Sequence, residues 1–252
     1  MSSNREEHPH LLLFDPEKKW QYLIIGTFPP NTALRNQEKV YIDYFYGNKG
    51  SLWKIIHDIY YAKGYDFYKS GKMQNLGEIK RWQQDYGVGL SDTISSCARM
   101  HSLSSDDSAL IDIVYNHALK DHILDNRPTL KKIIFTSSFG KNSAFENFKI
   151  IMGAEIILVE DKLVIGLPSP SGSANITFFN TNQEETLGLT RDLYNYVSRF
   201  RPELINGFKH RWNLKQQKRS DQSIIIPASP AGLVKEYKIW RYQQVLPSEK
   251  CS

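Results

Sequence analysis

Two cysteines, no internal repeat and no long apolar run mark what this chain goes without. Cys97 and Cys251 alone exclude a disulfide framework, and neither sits at a metal-ligand spacing, so a reduced, cytoplasmic protein is expected. The N-terminus is polar and acidic from Asn4 to His10, and Leu11-Leu12-Leu13-Phe14 is too short for a signal-peptide core. No apolar stretch approaches the roughly 20 residues of a membrane span, so no membrane partner is expected. The histidines are scattered without a second ligand at helical spacing, and His117 and His122 are expected to flank a surface helix. Gly140-Lys141 lacks the upstream glycine loop of a nucleotide-phosphate cradle. Neither a metal nor a cofactor is therefore expected.

What is present is a modest basic balance, a formal net charge of +5, which favours polyanionic partners without demanding one. More informative are two apolar runs that each end in a proline-rich loop. Tyr22-Leu23-Ile24-Ile25 leads into Gly26-Thr27-Phe28-Pro29-Pro30, and Leu163-Val164-Ile165-Gly166 leads into Leu167-Pro168-Ser169-Pro170-Ser171-Gly172-Ser173-Ala174-Asn175. Short β-branched runs bounded by Gly and Pro read as buried parallel strands, and ligands of open α/β sheets bind beyond the carboxyl ends of such strands.

Further strands are expected near 87–91, at 131–136, at 155–159 and at 162–167. Helices are expected from Ser51 along Leu52, Ile55, Ile56 and Ile59, near 75–84, over 104–126, over 141–151 and over 184–200. The stripe Leu110, Ile111, Val114, Ala118 and Leu119 carries the third of these, with Asp106 or Asp107 as its N-cap. The alternation argues for an α/β fold: a three-layer α/β/α sandwich around a central, mostly parallel four-stranded sheet, plus a C-terminal extension. Residues 1–20 form a lead-in, 21–201 the main domain, and 202–252 a basic, aromatic extension. In that extension Lys209, Arg211, Lys215, Lys218 and Lys238 alternate with Phe208, Trp212, Tyr237 and Trp240. Such a mixture suits phosphates and stacked bases, or equally a small core with an ordinary basic surface.

These segments resemble the uracil-DNA glycosylase superfamily. Gly26–Pro30 is similar to its first motif, and Leu167–Asn175 to the second, a Pro-Ser loop that presses into the minor groove. Tyr44-Phe45-Tyr46-Gly47-Asn48 with Leu52-Trp53-Lys54 resembles the aromatic segment of the mismatch-specific and hypoxanthine-type members, and Gly87–Asp92 their second strand. The resemblance covers roughly residues 20 to 200 and implies a monofunctional DNA glycosylase. Such an enzyme flips a deaminated base, uracil or hypoxanthine, out of the stack and hydrolyses its N-glycosidic bond. DNA is then the partner, and a monomer is expected.

The same resemblance assigns roles. Gly26, Thr27 and Phe28 line the base pocket, and Phe45, or Tyr46 if the loop register slips by one, is the ring on which the base stacks; a buried core ring is the alternative. Asp92 falls where relatives use asparagine to read the base edge; as a carboxylate it accepts from N–H groups, and an N-cap is the alternative. Phe28 stands where well-known members hold a catalytic Asp or Asn, and Gly50 where hypoxanthine-type members hold asparagine. That leaves Asn48 to position water, with Asp43 nearby, unless Asn48 simply starts a turn. Leu167 replaces the histidine that heads the second motif in several families. Pro168, Ser169, Pro170, Ser171, Gly172, Ser173 and Asn175 are expected to meet the DNA backbone, through small residues whose N–H groups approach phosphates closely. Ser137 and Lys141, after the third strand, add contacts or cap the following helix. Phe28, Gly50 and Leu167 each remove a polar group, which keeps open a catalytically silent DNA-binding relative. A small-molecule hydrolase on the same fold is a third reading.

Overall fold

The computed structural model describes residues 5–11, 15, 17–29, 44–45, 52–68, 76–101, 106–179 and 181–251, residue 173 by its backbone alone. By compactness they form two units, Met1–Pro170 with Arg241–Ser252, and Ser171–Trp240.

The first unit holds, in chain order, β1 (Glu6–Glu7), β2 (Tyr22–Gly26), α1 (Leu52–Tyr60), α2 (Leu76–Tyr86), β3 (Val88–Asp92), β4 (Ile94–Arg99), β5 (Leu110–Tyr115), α3 (Ala118–Asn126), β6 (Lys132–Phe135), α4 (Ala144–Met152) and β7 (Leu163–Val164). Four of the strands make a parallel sheet in the order β3-β2-β6-β7, with helices around it in an α/β/α arrangement. Parallel strands covered on both faces are continuous apolar runs, and Leu23, Ile24 and Ile25 of β2 are fully buried. Alternation sends Leu23 and Ile25 to one face, where they pack with Ile133 and Phe135 of β6, Leu119 and Ile123 of α3, and Phe148 and Met152 of α4. An aromatic layer joins α1 to α2: Trp53 meets Trp82 at 6.4 Å, and Tyr60 meets Trp82 at 5.4 Å and Tyr86 at 4.8 Å, each edge-on. Gly89 of β3 is required by close approach, because a Cβ there would lie 2.7 Å from the Trp20 ring.

A second sheet, β1-β4-β5, is antiparallel. Its presence corrects one expectation. The helix expected over 104–126 is a short 3-10 turn (Asp107–Ala109), then β5, then α3. The segment Leu110-Ile-Asp-Ile-Val-Tyr is rich in β-branched residues, and its burial alternates as a half-exposed strand does. Asp106 caps the turn by accepting from the Ser108 N–H at 2.9 Å. The lead-in supplies the edge strand β1.

Elsewhere, 155–159 belongs to a 3-10 segment (Gly153–Leu158) with Ile157 exposed, and the last strand is confined to Leu163–Val164. His122 lies buried on the inner face of α3, its Nδ1 3.2 Å from Asn126 Nδ2, and does not flank a surface helix. Residues 241–251 belong to the first unit: Pro247 O accepts from Tyr60 Oη at 2.6 Å, and Asp85 O accepts from the Cys251 N–H at 2.7 Å.

The second unit contains α5 (Arg191–Phe200), α6 (Ile205–Gln217) and most of α7 (Leu233–Gln243). The helix expected over 184–200 is interrupted: a turn at Glu184–Thr186 is followed by Leu187 at φ 54°, and α5 starts only after Thr190. Phe208, Tyr237, Leu193 and Val197 form the core here, with Trp240 packed against it. Burial turns Phe208, Trp212 and Tyr237 of the extension inward, while Lys209, Arg219 and Lys235 are exposed alongside Glu203, Asp221 and Glu236. Among the described residues no helix is long and apolar enough to cross a membrane.

Candidate active site at the strand ends

Parallel strands point their carboxyl ends the same way, so the loops after β2, β3, β6 and β7 meet at one edge of the sheet. Hydrogen bonds step across that edge. Thr27 Oγ1, just past β2, lies 3.2 Å from Ser137 Oγ, just past β6, and Ser138 Oγ accepts from the Gly166 N–H at 2.8 Å, just past β7. Ser137 Oγ also accepts from the Ala144 N–H at 2.9 Å, so it satisfies the first turn of α4. The expected contact residue is thus used as a helix cap. Lys141 is exposed beside it.

Asp92, the last residue of β3, is 2% exposed. It runs through Thr93 directly into β4, so there is no helix for it to cap. Its Oδ2 lies 2.7 Å from His8 Nε2. His8 Nδ1 accepts from the His10 backbone N–H at 3.0 Å. A backbone amide only donates, so Nδ1 is bare, Nε2 carries the ring proton and donates it to Asp92. The other oxygen, Oδ1, is buried with no hydrogen-bond partner among the described residues. Asn116 Nδ2 steadies the strand end through Asp92 O at 3.0 Å and Ser91 Oγ at 3.3 Å.

Aromatic rings pack against the His8 ring that meets this carboxylate. The Phe28 ring centroid is 5.4 Å from that of His8, edge to face, and the Phe45 centroid is 5.7 Å from it. Phe28 packs against Ile94, Cys97 and Leu110, with the Arg99 guanidinium 5.6 Å from its centroid. Arg99 is tied down in turn, donating to Pro29 O at 2.7 Å and to Glu6 Oε1 at 2.9 Å. Phe45 is fully buried, contacted by His8, His10 and Tyr44. As it stands it is an enclosed ring, the alternative left open from its sequence. Asn48, Asp43 and Tyr46 lie outside the described residues.

A second carboxyl faces the first-motif loop. Asp107 Oδ2 accepts from Thr27 Oγ1 at 2.9 Å. With that proton given to Asp107, Thr27 must accept from Ser137, which makes a directed chain Ala144 N–H, Ser137, Thr27, Asp107. Asp107 as a residue keeps partial exposure, and its carboxyl is the enclosed part. Burial pushes this carboxyl up to about 7; the Thr27 hydroxyl pulls it down, Asp92 and Asp106 push it up, and Arg99 pulls it down. Sequence reasoning passed over Asp107 except as a cap, and passed over His8 altogether. Only the Asp106-Asp107 pair was a signal, since nothing local links His8 to a residue 84 positions away.

The second proline loop divides between the units. Leu167 and Pro168 are buried in the first, where Arg241 donates to Gly166 O at 3.3 Å and Tyr242 Oη to Pro168 O at 3.4 Å. Ser169 and Pro170 are half-buried. In the second unit, Lys238 is 3% exposed and donates to Ser171 O at 2.8 Å and Asn175 Oδ1 at 2.7 Å, so it ties the two ends of the Ser171–Asn175 turn together. Both acceptors are neutral, the Phe178 ring centroid lies 5.9 Å from its Nζ, and burial pulls its ammonium down to about 8. Gly172 is exposed, with open space around it.

Two cavities of the described residues lie elsewhere, one lined by Trp20, Tyr44, Gln83 and Leu90, the other by Leu204, Phe208, Arg211 and Pro230. The chemistry concentrates at the strand ends, where convergent polar groups outweigh open volume. No three metal-type side chains converge among the described residues. Comparison with protein-family models, with characterised proteins and with solved structures finds no match.

Proposed function

We propose that the chain is a DNA glycosylase of the uracil-DNA glycosylase superfamily, hydrolysing the N-glycosidic bond of a deaminated base. One observation carries this reading: a buried carboxylate oxygen, Asp92 Oδ1, has no hydrogen-bond partner among the described residues, at a strand end where the other oxygen of the same carboxylate meets the His8 ring. A buried acceptor without a donor is costly, and a ligand N–H repays it. Deamination supplies that N–H. Cytosine N3 and adenine N1 are lone-pair acceptors, whereas the same ring positions in uracil and hypoxanthine are N–H donors. An ionised carboxylate held at this edge attracts the altered base and repels its parent.

The remaining steps follow from the bond to be broken. As the C1′–N bond lengthens, the sugar gains oxocarbenium character and the base gains negative charge. A water then adds to C1′, its hydroxyl staying on the sugar and its proton passing to solvent, while the departed base takes up a proton in its place. Asn48 is assigned to orient that water, because Phe28 offers no polar atom. Backbone N–H groups and Asn175 remain as donors toward the DNA, because Leu167 offers none. Losing one preorganised donor costs on the order of 3 kcal/mol of transition-state stabilisation, so turnover is expected to be slow.

The apolar side chains at Phe28 and Leu167 also favour a second reading, a relative that binds damaged DNA without turnover. Base release from oligonucleotides carrying uracil, hypoxanthine or xanthine separates the two. The glycosylase releases at least one of these bases and spares the undamaged strand, and Asn48→Ala abolishes release. Tight, salt-sensitive binding with no release from any strand leaves the silent binder.

A further inference from the structure

The base site of that reading is already occupied. His8 is a planar N–H heterocycle whose side chain is fully buried, with Nε2–H on Asp92 Oδ2 at 2.7 Å and its ring centroid 5.4 Å from that of Phe28 and 5.7 Å from that of Phe45. It makes to the carboxylate the contact that a lactam N–H would make, and it packs against the ring on which a base would stack. Phe45 and Asp92 are both buried, with His8 and His10 among the groups packed against Phe45.

We propose that His8 is a removable occupant of a site for planar, N–H-bearing heterocycles, and that an entering base displaces it. This rests on the glycosylase reading for the identity of the ligand. The segment that carries His8 is lightly held. β1 is two residues long, pairing Glu6 with Cys97 and Glu7 with Ser96 at the edge of β4, and the next bond is the His8 N–H to Ser95 O at 2.8 Å. Among the described residues its side-chain ties include Arg5 to Ser96 Oγ at 2.8 Å and Glu6 to Arg99 at 2.9 Å. Short strands at a sheet edge are among the elements that open locally below the global unfolding free energy. Asp92 Oδ1 has no donor among the described residues with the occupant in place, so the closed state is not fully satisfied there. Apparent affinity for a base is reduced by the fraction of molecules in which the site is vacant.

The test uses the full chain with His8→Ala, and thermal shift with free imidazole, free hypoxanthine and free uracil as probes. The variant is expected to melt lower than the unaltered chain. Imidazole and at least one free base should restore part of that loss, while neither moves the unaltered chain at the same concentration. Affinity for an oligonucleotide carrying the matching base should rise about tenfold or more. Rescue by imidazole but by neither base would make His8 an ordinary core ring and overturn the proposal. So would weaker oligonucleotide binding, which would make His8 a support for Asp92. If His8→Ala does not fold, 15N spectra of the unaltered chain decide. The His8 signals should report a proton on Nε2 and a bare Nδ1, and they should move to solvent-like values when the damaged oligonucleotide binds. Signals that stay in place in the bound state overturn the proposal. Failure of the unaltered chain to release any base counts against the glycosylase reading alone, since free-base rescue of His8→Ala does not depend on turnover.

Discussion

At the scale of single residues, the strand-end site sets two carboxyls in contrasting surroundings. Asp92 receives a ring N–H from His8, whereas Asp107 receives one hydroxyl and is pushed up to about 7 by burial. Pairs whose surroundings differ in this way are how one site holds both an acceptor and a proton. The consequence for stability has a definite sign. An acid whose folded value lies above its unfolded value binds more protons when folded, so its contribution is fully present below about pH 4 and is lost as pH rises toward 7. Asp107→Asn should flatten that part of the stability profile and raise the melting temperature at pH 8. The gain should be roughly 1.4 kcal/mol for each unit between the two values. Denaturant midpoints at pH 5 and pH 8 check it: an unchanged difference between the two pH values would show that Asp107 carries no raised pKa. Cys97 is pushed up to about 11, chiefly by burial, so alkylating reagents should label the native chain slowly at this position.

At the scale of elements, β2, β3, β6 and the helices around them were legible because buried parallel strands are continuous apolar runs. The antiparallel sheet was not. Ile94-Ser-Ser-Cys-Ala-Arg carries too few β-branched residues to stand out, and β5 places Leu110, Ile111 and Val114 at intervals that also suit a helix. Its alternation is further broken by Asp112 at φ 49° and by register shifts along β4. Of the candidate site, Thr27, Phe28 and Asp92 were legible as strand-end residues, whereas His8 and Asp107 reach them through tertiary contacts 84 and 80 positions away.

The Ser171–Asn175 turn offers a prediction at this scale. Lys238→Met keeps the stem of the side chain and removes the bonds to Ser171 O and Asn175 Oδ1. Removing a buried ammonium that donates to two neutral oxygens should leave thermal stability at pH 7 unchanged or raised. The turn itself should loosen, seen as faster amide hydrogen exchange over Ser171–Asn175, with weaker oligonucleotide binding. Unaltered exchange would show that Lys238 does not hold the turn. Phe139, 76% exposed in the loop after β6, is a side chain that a duplex could accept between bases. Phe139→Ala should leave the unfolding free energy within about 0.5 kcal/mol of that of the unaltered chain and weaken binding to duplex carrying a damaged base. Equal affinity would remove that loop from the interface.

At the scale of the whole molecule, a net charge of +5 sits on a chain whose second unit packs Phe208 and Tyr237 in its core and exposes Lys209, Arg219 and Lys235, with Lys238 held inside. A protein that grips DNA through its phosphates releases counterions. Raising salt from 50 to 200 mM should therefore lower oligonucleotide affinity at least about tenfold, the slope of two or more phosphate contacts. A small-molecule hydrolase would scarcely respond. The measurement that bears most directly on the central claim is single-turnover base release by the unaltered chain and by Asp92→Ala, on strands carrying uracil or hypoxanthine. The account predicts release of at least one of these bases, slowed by about 10- to 100-fold when the buried acceptor is removed. Release at the same rate from both proteins would contradict it, as would no release from either.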